Sequence, residues 1–189
     1  KSASSEESRQ GNVGCGLGAT VGKILGPDHA MKSGLGSATV KAGELIVSAI
    51  VSVNSFGDIY DYRTGRQIAG VYDYEKNEML NTYTIMKKES KSLGFPLRNT
   101  TIGVIATNAI LSKAEANKTA AMAHNGFARS INPVHTMLDG DTIFTMAANE
   151  INADLNLIGT MAGEAMSRAI TNAIINAKSC HKLISYSDI

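Results

Sequence analysis

Residues 44–54 read Glu-Leu-Ile-Val-Ser-Ala-Ile-Val-Ser-Val-Asn. Leu45, Val47, Ala49, Val51 and Val53 alternate with Ile46, Ser48, Ile50 and Ser52, so a period of two places the first set on one face. β-Branched residues dominate the run, which predicts a strand; the isoleucines on the alternate face predict burial on both sides. Residues 55–61, SFGDIYD, are expected to turn the chain out of it.

Working upstream, residues 11–26 (GNVGCGLGATVGKILG) and 31–36 (MKSGLG) are glycine-dense. That density predicts tight turns and close backbone approaches rather than a regular element. The Ser/Glu-rich residues 1–10 read as a flexible, solvated lead-in.

Downstream, residues 63–98 carry little periodicity and read as an exposed linker with a short helix; its end, GFPLRN, is turn-like or extended because of Pro96. Residues 100–107 (TTIGVIAT) are a β-branched run, hence a buried strand. Ser112 is a helix-cap residue, and Ala116, Ala120, Ala123 and Phe127 recur at helical spacing, which predicts a helix over 113–130 that Asn132-Pro133 breaks. Residues 142–147 (TIFTMA) predict a further strand. Leu155, Ile158, Ala162, Ala165, Ala169 and Ala173 form a stripe of mostly small residues, which predicts a long, closely packed helix. The order is that of a layered α/β protein with two long helices on a sheet.

With 189 residues, 43% of them hydrophobic and 19% charged, the chain can bury one sizeable core. A net charge of +1 with dispersed Lys and Arg gives no basic face for nucleic acid. Cys15 and Cys180 lie at opposite ends without metal-type spacing, so free or buried thiols are expected, with a disulfide between them as the alternative, and neither a metal nor a cofactor is implied. No apolar run is long enough for a membrane span, and residues 1–10 lack a secretory apolar stretch, so a cytoplasmic location is expected. A chain opening on Lys rather than Met reads as a fragment or a processed product.

Four places hold candidate chemistry. Asn99-Thr100 stands where a polar segment enters a buried strand. A Thr hydroxyl attacking the preceding carbonyl would turn that peptide bond into an ester, and the freed Thr100 amine, with a pKa of about 8, could serve its own hydroxyl as base; on spacing alone, though, an Asn-Thr pair opening a strand is more often plain structure. Asp139-Gly140-Asp141 sets two carboxylates on one side of an extended segment, where they could orient a hydroxyl or hold its proton, or else form an ordinary acidic turn. Lys23, among glycines and apolar residues, could be a buried cation or a partner of Asp139 and Asp141, or simply a surface lysine; Ile24 after it excludes a Walker A loop. Asn54 could donate to a developing oxyanion, or cap a turn. His135 reads as a structural hydrogen-bonding residue near the acidic turn, with substrate contact as the second possibility.

The ordered runs GNVGCGLGATVGK, VSVNSFGD, NTTIGVIATNA and NPVHTMLDGDTIF resemble those of the self-processing aminopeptidases and amidases: the L-aminopeptidase/D-esterases, β-aminopeptidases and nylon-oligomer endohydrolases. The resemblance implies a four-layer α/β/β/α sandwich and a precursor cut between Asn99 and Thr100. Residues 1–99 would then end one subunit and residues 100–189 form the other, the two staying together as one domain. It further implies Thr100 as nucleophile, Asn54 in the oxyanion hole, Asp139 and Asp141 as the paired acidic residues, and Lys23 as the active-site lysine. Thr100 and the Asp-Gly-Asp turn look more like the nylon-oligomer hydrolases than the serine aminopeptidases. The family's large N-terminal region, part of its substrate pocket, has no counterpart before the glycine-rich stretch. The implied partners are a peptide or amino-acid-oligomer substrate, the chain's own cleaved subunit and further copies in a homo-oligomer. An acyltransferase of the ornithine acetyltransferase type and a non-catalytic module keeping the fold are the alternatives.

Overall fold

The structure, a computed structural model, describes residues 8–88 and 99–189. Its strands and helices, in chain order, are β1 Thr20–Val21, β2 Met31–Lys32, β3 Leu35–Ala42, β4 Leu45–Ser52, β5 Asp58–Tyr60, β6 Gln67–Ala69, β7 Tyr72–Asp73, β8 Glu78–Met79, α1 Thr82–Lys88, β9 Ile102–Ala109, α2 Lys113–Ser130, β10 Ile131–Asn132, β11 Thr142–Ile151 and α3 Leu155–Ile175.

The main sheet runs β11-β9-β4-β3, with β9 and β11 parallel and the other pairs antiparallel. β4 pairs on both sides, Val47 with Val40 and Thr107, Val51 with Gly36 and Gly103. α2 and α3 cover one face, packing over Val47, Ala49, Val51, Ile105 and Ile143. α2 matches its predicted bounds because Ser112 and Glu115 form a reciprocal capping box. Asp154 caps α3 by accepting from Leu157 N–H. α3 is buried well beyond its alanine stripe, since it is pressed between the sheet and α2. Glycine makes this closeness possible: a Cβ at Gly36 would stand 2.0 Å from the Ala169 carbonyl oxygen.

Three expectations need correction. β4 is buried on one face only; Ile46, Ser48 and Ile50 are half-exposed, and on the same side Ile102, Phe144 and Met146 are exposed. The main sheet and the two helices over it make two layers among the described residues. The glycine-rich stretch contains the β1–β2 pair and the start of β3, held by the buried Lys32, whose Nζ donates to the carbonyls of Gly16 and Ala19 (both 2.9 Å) and of Ser33. Residues 55–61 do not only turn: β5 pairs with β6 and β10.

Residues 63–88 are likewise not an exposed linker. They form β6, β7, β8 and the one short helix, α1, and bury Ile68, Ala69, Val71 and Tyr72. The anchor is the fully buried Asp58 carboxylate, which accepts from Val71 N–H (3.1 Å), Thr82 N–H (2.7 Å) and the Thr82 hydroxyl (2.6 Å). Of the lead-in, residues 1–7 lie outside the described residues; Ser8 and Gln10 bond to Ser37 on β3. The segment GFPLRN lies outside them too, except for Asn99.

Candidate active site

Antiparallel β4 and β9, with β11 parallel to β9, bring the C-terminal end of β4 and the N-terminal ends of β9 and β11 to one edge of the sheet. Asn54 lies just past β4, Thr100 just before β9, and Asp139 to Asp141 just before β11. Lys23 enters from the loop after β1, its N–H bonded to the Phe56 carbonyl (3.1 Å). A small core of Ile24, Phe56 and Val71, joined by Leu138, lies beside these residues and fixes their backbones.

The Asn99–Thr100 peptide is clamped at both ends. Thr100 N–H donates to the Asn54 carbonyl (3.0 Å), and the Asn99 carbonyl accepts from Gly140 N–H (2.8 Å). The Thr100 hydroxyl donates to the same Asn99 carbonyl at 2.6 Å. Asn99 is buried, and its side-chain amide has no hydrogen-bond partner among the described residues.

Lys23 Nζ donates to Asn54 Oδ1 at 2.5 Å, and Thr20 N–H donates to the same oxygen at 3.3 Å. An ammonium is donor-only, so it can face only the oxygen of that amide, which leaves Asn54 Nδ2 free to donate. Burial lowers the Lys23 pKa to about 8, against the opposing pull of the Asp139 charge. Of the readings open for Lys23, burial excludes the surface lysine, and its direct bond goes to Asn54 rather than to Asp139 or Asp141.

Both carboxylates of the acidic turn are engaged. Asp139 Oδ1 accepts from Phe56 N–H (3.1 Å), and Oδ2 accepts from the Thr136 hydroxyl (2.6 Å). Asp141 Oδ1 accepts from Thr101 N–H (2.9 Å), and Oδ2 lies 2.9 Å from His135 Nδ1. Burial raises the Asp141 pKa, and the Asp139 charge adds to this as a lesser cause. His135 Nε2 lies 3.2 Å from His124 Nδ1, so an imidazole pair backs the turn. His135 thus bridges Asp141 and His124.

An open cavity of about 410 Å³ meets this edge. Thr100 and Asn54 line it, together with Leu35, Ile50, Ile102 and Val104. Its lining is mostly apolar. Sequence reasoning misses two residues here: Gly140, which reads only as a turn residue, and Cys15, a free thiol that lines the cavity. Only the position of Gly140 between two aspartates offered a local signal. Among the described residues no group of His, Cys, Asp and Glu is arranged to hold a metal, and no helix is long and apolar enough to cross a membrane.

The sequence profile of peptidase family S58 matches residues 1–184. The chain is 33% identical to an uncharacterised aminopeptidase of Mycobacterium leprae, over 93% of this chain and 51% of that one. It is 32% identical to a 6-aminohexanoate-oligomer endohydrolase of Agromyces sp., over 87% of this chain and 45% of that one. The L-aminopeptidase D-Ala-esterase/amidase of Ochrobactrum anthropi, a variant of the Ntn hydrolase fold, superposes with a TM-score of 0.65 at 18% identity, covering 97% of this chain and 51% of that one. A β-aminopeptidase of Burkholderia sp. superposes with a TM-score of 0.58 at 22% identity, covering 90% and 47%. The chain spans about half the length of the curated relatives it matches.

Proposed function

The chain belongs to peptidase family S58, and on that footing we propose that it is an amide-bond hydrolase activated by its own cut between Asn99 and Thr100. The observation that carries this reading is the Thr100 hydroxyl held 2.6 Å from the carbonyl oxygen of the bond to be cut. Attack by Thr100 Oγ on the Asn99 carbonyl carbon forms an ester as the C–N bond breaks, and water then frees the Thr100 hydroxyl. The released amine starts at the Asn54 carbonyl, beside its own hydroxyl, where it can act as base.

In turnover, Thr100 attacks the substrate carbonyl and carries the acyl group as an ester. Asn54 Nδ2 donates to the oxyanion, with Lys23 holding the amide in the donating orientation. Asp141 fixes the backbone directly after the nucleophile through Thr101 N–H, and Asp139 fixes the Phe56 segment that follows Asn54. The apolar cavity suits peptides or linear amino-acid oligomers with extended methylene or aliphatic acyl chains. Identities of 33% and 32% do not separate an aminopeptidase from an oligomer endohydrolase.

The uncovered face of the main sheet, with Ile102, Phe144 and Met146 exposed, supports a four-layer sandwich completed there by a second sheet. Such a layer would also wall the open cavity, so substrate choice rests partly on it. Denaturing electrophoresis with mass spectrometry tests the central step. A fragment beginning at Thr100 is expected from the unaltered protein, and a Thr100→Ala chain that is still cut there would overturn the reading.

A further inference from the structure

We propose that the backbone N–H of Gly140 is the oxyanion donor for the self-cut, a different donor from the Asn54 amide that serves turnover. The inference rests on the self-cleaving reading above and assigns a role to a group that reading leaves unused. Gly140 N–H already donates to the Asn99 carbonyl at 2.8 Å. When Thr100 Oγ bonds to the Asn99 carbon, the carbonyl oxygen takes the negative charge and this hydrogen bond becomes charge-assisted. The C–N bond then breaks, the hydroxyl proton ends on the departing Thr100 nitrogen, and the oxygen returns to a carbonyl within the ester.

Asn54 is on the other side of this bond. Its carbonyl holds Thr100 N–H, and its Oδ1 is occupied by Lys23 and Thr20. Asn54 lines the cavity with Thr100, and none of the described residues accepts a hydrogen bond from its Nδ2. In this proposal Gly140 N–H serves the Asn99 carbonyl and Asn54 Nδ2 is left for a substrate carbonyl.

Why residue 140 is glycine follows from the same contact. A Cβ there would stand 2.9 Å from Thr100 Oγ1 and 3.7 Å from the Asn99 oxygen. A side chain would crowd the nucleophile at the place where the donor must approach.

The test replaces Gly140 with glycolate, which turns the Asp139–Gly140 amide into an ester and deletes the N–H alone. Thermal melting confirms that the variant is folded. Self-cleavage about 100-fold slower than in the unaltered protein is expected, the usual effect of losing one oxyanion donor. Cleavage at the unaltered rate in the folded ester variant would overturn the Gly140 assignment and leave the self-cleavage reading standing. An unaltered protein that is never cut at Asn99–Thr100 would overturn both. A second measurement needs no ester: hydrogen exchange at the Gly140 amide is expected to be slow in uncut Thr100→Ala protein, and exchange there at the rate of an unprotected amide counts against the assignment.

Discussion

The Thr100 hydroxyl and the Asn99 carbonyl oxygen lie 2.6 Å apart, and Gly140 N–H approaches that oxygen at 2.8 Å. On the proposed self-cut, the hydroxyl, the carbonyl it would attack and a donor to that carbonyl are held together before any bond changes. Thr100→Ala removes the nucleophile and nothing else of size. It is expected to give one uncut chain and to lower amide hydrolysis by about 10³-fold or more. Thr100→Ser keeps a hydroxyl but loses the β-branch that restricts χ1, so it is expected to be cut, more slowly. Intact mass against time after synthesis checks all three chains.

On the proposed mechanism the pH profile of turnover follows from two groups with opposite signs. The freed Thr100 amine, at about 8 in unperturbed form, becomes a competent base as pH rises. Lys23, lowered to about 8 by burial, loses its charge over the same range and then polarises the Asn54 amide less. A bell-shaped profile centred near pH 8 is expected. In Lys23→Met there is no cation to lose, so the alkaline limb disappears while the overall rate is lower. An alkaline limb unchanged in Lys23→Met would assign it to another group.

What the sequence discloses and what it hides have physical causes. Ser112 with Glu115, and the alanine stripes of α2 and α3, are signals held within one helix, so those elements are readable at their true positions. The cores of β4, β9 and β11 are also local patterns. The burial of residues 67–72 is not, because it depends on Asp58 and on glycine-to-glycine contact; a Cβ at Gly22 would lie 1.9 Å from the Gly70 carbonyl carbon. Ile46 and Ile50 look like core residues, yet the described residues cover them only in part. For the site, residue types and order were legible. The clamp on the Asn99–Thr100 peptide was not, since backbone donors such as Gly140 N–H leave no mark in side-chain patterns.

Gly36 reports on the packing of α3 against β3. The Cβ of Gly36→Ala would meet the Ala169 carbonyl oxygen at 2.0 Å and Ala173 N at 2.4 Å, both backbone atoms of a helix that is itself tightly packed. No rotamer change relieves that contact, so the cost should reach about 3 kcal/mol, the upper end for overpacking. In a chain of this length that lowers Tm by roughly 6–12 °C. Gly18→Ala is the comparison: nothing lies within 4 Å of its added Cβ, so Tm should hold. Calorimetry of the two variants checks the contrast.

Asp58 gives the clearest prediction for stability. Burial raises its pKa from 3.8 to about 6, although hydrogen bonds from Thr82 and Val71 pull the other way. The folded state therefore holds the Asp58 proton up to about pH 6, whereas the unfolded chain releases it near 3.8. Between those values the folded state binds more protons, so the contribution of Asp58 to stability grows as pH falls through the window and is absent well above it. The other carboxylates respond to acid as well, so the effect is isolated by comparison with Asp58→Asn, which cannot titrate. From pH 7.5 to pH 4 the unaltered protein should gain about 2 kcal/mol on Asp58→Asn, measured by denaturant unfolding. Asp58→Ala leaves Val71 N–H, Thr82 N–H and the Thr82 hydroxyl without their acceptor, and should cost about 3 kcal/mol or more. A difference between unaltered and Asp58→Asn protein that stays flat with pH would mean that the buried carboxylate is solvated on opening, and that residues 67–82 are held by packing instead.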